Sequence, residues 1–191
     1  MDIRELDRRA LDFFDKVADG LRTADLDLPT SCAGWRLRDL LRHQVSENTA
    51  FAVALREGSA PDWDSGSLGD DPYRAYADSV TAVLAAMEDD EVLNRQVTVR
   101  EFGTFPGTVA LSMHLVDSVA HGWDLAVTLG VPYLQDLEAV QAALDFARLI
   151  PAGPERDDPK SSFAPVVRTG PGASPLDELL GLLGRDPAWT P

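Results

Sequence analysis

An all-α fold, an antiparallel helical bundle in one domain, is what this sequence predicts, and three observations predict it. Apolar residues recur at the three- and four-residue spacing of amphipathic helices over four long stretches. One segment, RQVTVREFGTFPG, departs from that spacing; it is rich in β-branched and aromatic residues, is interrupted by Gly103, and reads as a short extended or hairpin piece. The other breaks are polar loops punctuated by Pro, Gly, Asp and Ser. Four long helices with short accessories bury their apolar stripes most simply against one another.

The first helix carries Ile3, Leu6, Ala10, Phe13, Phe14, Val17 and Leu21 on one stripe, with Asp2 as its N-cap. LDLPTSCAGW follows, a turn-rich loop with Pro29, Thr30 and Gly34. Because this connection is short, the first two helices are expected to be neighbours. The second helix runs from about Leu37 to Leu55, with Leu37, Leu40, Leu41, Val45, Phe51 and Leu55 on its apolar side. After the polar loop APDWDSGSLGDDP, a third helix carries Tyr76, Val80, Val83, Leu84 and Met87. Pro106-Gly107-Thr108 starts the fourth, which runs to about Leu129 and ends at Gly130. A fifth covers about Leu134 to Leu149. The long loop PAGPERDDPKSSFAPVVRTGPGA comes next, of a length usually functional or mobile. Ser174, Pro175 and Asp177 then form the cap, first position and capping box of a short last helix.

Composition bounds the function. Residues 1–191 suffice for one domain with a real core, at 45% apolar and 26% charged residues. A net charge of −15 without a basic stripe argues against nucleic acid and favours cationic or metal partners. No apolar run approaches the ~20 residues that span a bilayer. The opening MDIRELDRRALDFF is charged and amphipathic, unlike a secretory signal, and the single Cys32 forms no internal disulfide, so a cytoplasmic location is expected.

The fourth helix holds the chemistry. At about 100° per residue, Val109, Met113, Val116, Ala120, Trp123 and Val127 fall on one arc, expected to face the core. His114, Asp117, His121 and Asp124 fall together on its flank. Side chains four apart on a helix lie one above the other, so Asp117 and His121 can grip one ion. His114 and His121 are two turns apart, about 10.5 Å along the axis, too far to share one ion through bonds of ~2 Å. Spacing therefore leaves Asp117 to pair with either histidine. A third ligand must come from another helix, and His43, in RLRDLLRHQVSEN, is the remaining histidine. Two imidazoles and a carboxylate leave coordination positions open, as in catalytic zinc or Fe(II) sites.

Three stretches carry a family resemblance: Thr30-Ser31-Cys32-Ala33-Gly34-Trp35 with Arg38-Asp39-Leu40-Leu41-Arg42-His43; Asp117 to Ala126, with its His-Gly-Trp-Asp-Leu-Ala core; and Phe163-Ala164-Pro165 with Leu182-Leu183-Gly184-Arg185-Asp186-Pro187. Together they resemble the DinB/YfiT-like metalloenzymes, and within them the mycothiol-dependent maleylpyruvate isomerase N-terminal group. The resemblance implies an up-down-up-down four-helix bundle, a metal triad on His43, Asp117 and His121, and mycothiol as a thiol cosubstrate. The family pair begins with Glu or His where this chain has Asp117, whose shorter reach brings the metal closer to the helix or holds it more weakly. The isomerases also carry a C-terminal domain that 191 residues do not accommodate, so the resemblance speaks to metal and thiol chemistry more than to maleylpyruvate.

Neighbouring residues receive expectations too. Cys32 reads as a small packing residue rather than a nucleophile. Trp35 is a candidate for lining a pocket, while Trp123 sits on the core arc. Asp124, three residues from His121, either accepts a hydrogen bond from an imidazole N–H or is solvated. Glu47 follows His43 by a turn, and Asn48 falls mid-arc, so burial would oblige it to find partners. Arg36, Arg38 and Arg42 either attract a carboxylate substrate or form surface salt bridges. The reading that follows is a divalent-metal site, zinc first with nickel or iron as alternatives, acting with a low-molecular-weight thiol on a small electrophile by transfer or isomerisation. The alternatives are a non-catalytic metal-binding module and an Fe(II)-dependent enzyme; a homodimer is compatible with all three.

Overall fold

In the computed structural model, α1 (Ile3–Ala18), α2 (Leu37–Glu57), α3 (Pro72–Met87), a hairpin of β1 (Gln96–Val99) and β2 (Gly103–Pro106), α4 (Gly107–Thr128), α5 (Leu137–Ala147) and α6 (Pro175–Leu182) follow in that order, with single 3-10 turns at Asp19–Arg22, Asp90–Leu93 and Pro154–Asp157. The structure describes the chain apart from Thr23, Gln135, Pro159 and Lys160, and apart from the side chains of Phe14, Asp15, Ala18 and Asp19. Phe14, expected on the first apolar stripe, thus lies outside the described side chains. None of the described helices is long and apolar enough to cross a membrane.

The caps are those the sequence marks. Asp2 accepts from the Arg4 N–H at 3.0 Å, and Ser174 and Asp177 exchange reciprocal bonds at the start of α6. The extended segment is an antiparallel hairpin with Val97 opposite Phe105, and its Val97 and Val99 face inward.

Helix packing departs from expectation in two ways. First, α1 does not lie beside α2; it packs against α4, with α3 and α5 flanking, while α2 packs against α3 and α4. The connection between α1 and α2 is not a short link. Leu26 and Leu28 seat on the core, and the carbonyls of Leu28 and Leu26 accept from the Leu37 and Arg38 N–H groups, so this segment folds back on the start of α2. Second, α4 has no single core face. Two apolar clusters flank it, one with α2, α3 and the hairpin (Leu40, Phe51, Met87, Leu111, Leu125) and one with α1, α5 and α6 (Leu6, Leu115, Val119, Leu144, Leu179). A helix buried on nearly every side sits in the middle of its domain. Val109, Met113 and Val127 are accordingly only half-buried, while Leu111, Leu115 and Leu125 are fully enclosed. The long loop after α5 is fastened too: Arg156, buried, donates to the Pro151 and Leu182 carbonyls, and the Val167 N–H to that of Gly181.

A buried polar chain crosses the four longest helices. Asp7 on α1 meets His114 Nδ1 on α4 at 2.7 Å and accepts from Ser118 Oγ. His114 Nε2 lies 3.0 Å from Asn48 Oδ1 on α2, and Asn48 Nδ2 donates to Ser79 Oγ on α3. Ser79 Oγ donates to the Tyr76 carbonyl, so it accepts from Asn48. That direction turns the Asn48 oxygen toward His114, whose two nitrogens then both face acceptors. That arrangement favours the protonated, imidazolium form of His114. Burial works against the charge, but Asp7 outweighs it by proximity and hydrogen bonding, holding the imidazole pKa above its ordinary value. His114 thus points away from the Asp117 flank on which its spacing had placed it, and Asn48 has the partners its burial demands.

Candidate metal centre

His43 on α2 and Asp117 and His121 on α4 come together where the two helices cross. His43 Nε2 is 3.1 Å and His121 Nε2 3.4 Å from the same atom, Asp117 Oδ1. One nitrogen from each imidazole and one carboxylate oxygen lie within 4.8 Å of one another, the spread from which a divalent ion can draw three ligands. The two rings meet edge-on at 4.8 Å between centroids. His121 is buried; His43 and Asp117 are half-buried. Burial disfavours the Asp117 carboxylate, yet the flanking His121 and His43 reverse this and hold its pKa well below the usual range.

Asp117 and His121 are held from behind. Gln44, one residue past His43, donates to Asp117 Oδ2 at 2.6 Å, leaving Oδ1 for the histidines. His121 Nδ1 bonds Asp124 Oδ2 at 2.8 Å, which reserves Nε2 for the Asp117 side. That is how metal-ligating histidines are usually oriented, by a carboxylate on the far nitrogen. Asp124 is fully buried and also accepts from Ser31 Oγ, Cys32 Sγ and the Arg185 guanidinium, so of its two expected placements the hydrogen-bonded one holds. Burial would raise its pKa, but Arg185 and His121 depress it far below the ordinary carboxylate value. On the other flank, Glu47 Oε1 lies 3.9 Å from His43 Nδ1 and is held by Arg100 of the hairpin turn, which also reaches the Trp63 carbonyl. Burial first, and the Asp117 charge second, push the Glu47 pKa up.

A polar cleft of about 450 Å³ opens beside His43, lined by Gly34, Trp35, Asp39, Arg42, Ser46 and Asp64. Trp35 stacks on the His121 ring at 5.9 Å with 13° between planes, so it walls the site as a pocket residue would. Trp123 is packing. Arg36 and Arg38 are engaged with Asp27, and Arg42 lines the cleft in a salt bridge with Asp39 at 3.7 Å. Cys32 departs from the packing role expected of it. It is half-buried in a polar cluster, its thiol donating to Asp124 at 3.2 Å. Gln44 and Arg100 carried no sequence signal as site residues, because nothing about a lone Gln or Arg marks which carboxylate it will find, and Ser31 lay within the first resemblance stretch, which named no partner for it. Arg185 lay within the tail motif, which named no partner for it.

Two uncharacterized proteins of Mycobacterium tuberculosis, from strains CDC 1551 / Oshkosh and ATCC 25618 / H37Rv, are each 29% identical over 185 residues, covering 93% of this chain and 94% of theirs. The crystal structure of a histidine-to-alanine mutant of mycothiol-dependent maleylpyruvate isomerase superposes with a TM-score of 0.60 at 13% identity, over 76% of this chain; the match spans 66% of that protein's length. At that identity the likeness is one of fold. The sequence profile of the mycothiol maleylpyruvate isomerase N-terminal domain matches residues 8–126, a segment that contains His43, Asp117, His121 and Asp124. This chain belongs to the mycothiol maleylpyruvate isomerase N-terminal domain family.

Proposed function

We propose that this protein is a metal- and mycothiol-dependent enzyme that isomerises, or transfers a thiol to, a small electrophile, with His43, Asp117 and His121 as the ligands of a divalent ion, zinc first and nickel or iron as alternatives. Helices α1 to α4 serve it as the up-down-up-down frame of a DinB-like bundle. The observation that supports this best is the convergence of the two Nε2 atoms on Asp117 Oδ1, with the far nitrogen of His121 already committed to a buried carboxylate. The donor set fits such an ion: two neutral-capable imidazoles and an ionised carboxylate, pre-aimed and half-open to a cleft. A divalent ion held there would stabilise a thiol as its thiolate and so supply a nucleophile at neutral pH. The protein's own residues do the rest. Gln44 and Asp124 fix the rotamers of Asp117 and His121, Trp35 shields one face of His121 from water, and Arg42 offers the cleft a positive charge for an anionic substrate group.

Elemental analysis of four variants tests the ligand set. His43→Ala, Asp117→Ala and His121→Ala are each expected to lose most bound metal, while the folded fraction of His114→Ala keeps it. Retention of metal in any of the first three removes that residue from the set. Multiple turnovers of an electrophile that require both thiol and metal separate an enzyme from a binding module; metal bound without such turnover would leave only the module.

A further inference from the structure

A second group of potential ligands adjoins the first on the opposite side of His121. Cys32, His121 and Asp124 each offer one ligand atom, and these lie within 4.8 Å of one another, the same spread as the proposed metal triad; Cys32 Sγ and His121 Nδ1 both meet Asp124 Oδ2, at 3.2 and 2.8 Å. The space between them is taken. Arg185 Nη2 sits 2.9 Å from Asp124 Oδ2, 3.4 Å from His121 Nδ1 and 3.6 Å from Cys32 Sγ, capping the triangle these atoms form. Its Nε lies 3.2 Å from both oxygens of Asp124. The Arg185 side chain is only 12% exposed, and Asp124 is fully buried.

The backbone delivers Arg185 there by construction. It follows α6, where the Arg185 N–H bonds the Leu180 carbonyl and the Gly184 N–H that of Gly181, the paired bonds of a Schellman cap. Gly184 adopts φ +82°, and a Cβ there would come within 2.7 Å of Ala164. The side chain of Arg185 is thus aimed by a turn that tolerates only glycine. Guanidinium is suited to this place, since it is always charged and binds no electron-pair acceptor.

We infer that Arg185 is a positioning residue acting as a built-in cation: it caps the Cys32/His121/Asp124 donor triangle, denies that triangle to a metal ion, and so keeps His121 presenting Nε2 toward His43 and Asp117. The last part of this role rests on the ligand set proposed above; the capping does not. Without the guanidinium, a thiol-seeking ion can enter on the wrong side of His121. Cys32 would then lose its proton to solvent as the metal–sulfur bond forms, and His121 Nδ1 would lose its proton to become a donor.

Cobalt(II) titration of the purified protein tests the inference, because a thiolate ligand adds a sulfur-to-cobalt charge-transfer band that nitrogen and oxygen ligands do not. The wild type is expected to lack that band, as is the single variant Cys32→Ser. Arg185→Ala is expected to gain it, reaching full amplitude at one ion per chain, and Cys32→Ser in the Arg185→Ala background to remove it again. Arg185→Lys, which restores a cation at the same place, should again lack it. Arg185→Gln, neutral but retaining a donor for Asp124, is the second variant should Arg185→Ala fold poorly. A natively helical Arg185→Ala or Arg185→Gln without the band overturns the inference. So does failure of both to fold, which would make Arg185 a structural residue, and so does the band in the wild type. The two proposals fail separately. A wild type that takes up no cobalt, beside an Arg185→Ala that gains the band, sinks the His43/Asp117/His121 set and sustains the cap; a wild type that binds cobalt, beside an Arg185→Ala identical to it, does the reverse.

Discussion

Asp7→Ala is expected to lower the unfolding free energy by about 3–5 kcal/mol, the usual cost of removing one partner from a buried ion pair, and the melting temperature by on the order of 10 °C for a chain of this length. Asp7 and His114 are both fully enclosed and 2.7 Å apart. The variant leaves His114 buried without its carboxylate partner, with Ser118 Oγ short of its acceptor. Urea unfolding of the metal-free protein measures the effect. A loss below about 1 kcal/mol, the scale of a surface pair, would show that His114 is neutral and that the chain of bonds runs in the other direction.

The same pair sets a pH dependence. The folded His114 pKa stands above its unfolded value near 6.5, so the stabilisation is fully present below that value and is lost as pH rises through the folded pKa. Deprotonation would leave an unprotonated nitrogen against Asn48 Oδ1, and the amide would have to turn over and give up Ser79. Wild-type stability is therefore expected to fall on the alkaline side with a slope that His114→Gln lacks. Equal alkaline slopes in the two proteins would count against an imidazolium at this position.

How far these features were legible in the sequence follows from the range of the forces involved. Local signals were reliable. Capping by Ser174 and Asp177, the hairpin around Gly103 and the one-turn spacing of Asp117 and His121 depend on residues within a turn or two of each other. The error in helix adjacency came from a long-range feature, because periodicity shows that residues 19–36 are not helical in the main but not that Leu26 and Leu28 seat on the core. The error in the α4 core face had a related cause. A sequence stripe assumes one buried side, whereas α4 is covered by α1, α2, α5 and the hairpin together. His114 went astray with it: it stands about 60° around the helix from Asp117 and nearly a turn earlier, where it meets Asp7 on α1 and Asn48 on α2 instead.

At the site, the three proposed ligands were nameable because histidine is rare in this chain and its spacing means something. Their supports were not. Gln44, Ser31, Arg100 and Arg185 acquire roles only through residues 53 to 93 positions away, or in the case of Arg185 and Asp124, 61 positions. What these supports share is visible only in three dimensions: one carboxylate stands near the far nitrogen of each proposed histidine ligand, and an arginine from a remote turn holds each carboxylate.

Of those supports Asp124 carries the most, and Asp124→Ala is expected to have the largest single effect at the site. Four groups lose their common acceptor: Ser31 Oγ at 2.5 Å, Cys32 Sγ at 3.2 Å, His121 Nδ1 at 2.8 Å and Arg185 Nη2 at 2.9 Å. The dominant cost is the guanidinium, 12% exposed and left without its carboxylate, which places the destabilisation at about 3–5 kcal/mol. A second effect should survive in whatever protein remains folded. His121 loses the bond that fixes its ring and its tautomer, and metal affinity falls about 10- to 100-fold, as it does when such outer partners are removed. The wild-type Asp124 carboxylate stays ionised far below neutrality, so Asp124→Asn separates charge from shape. It can keep an acceptor for His121 but cannot satisfy Arg185 as an ion, and should lose most of the stability while retaining more of the affinity than Asp124→Ala. Urea unfolding of the metal-free variants reads the first quantity, and chelator competition on the folded fraction reads the second. If folded Asp124→Ala binds metal as tightly as the wild type, His121 is oriented by something other than Asp124, and the carboxylate serves only to neutralise Arg185.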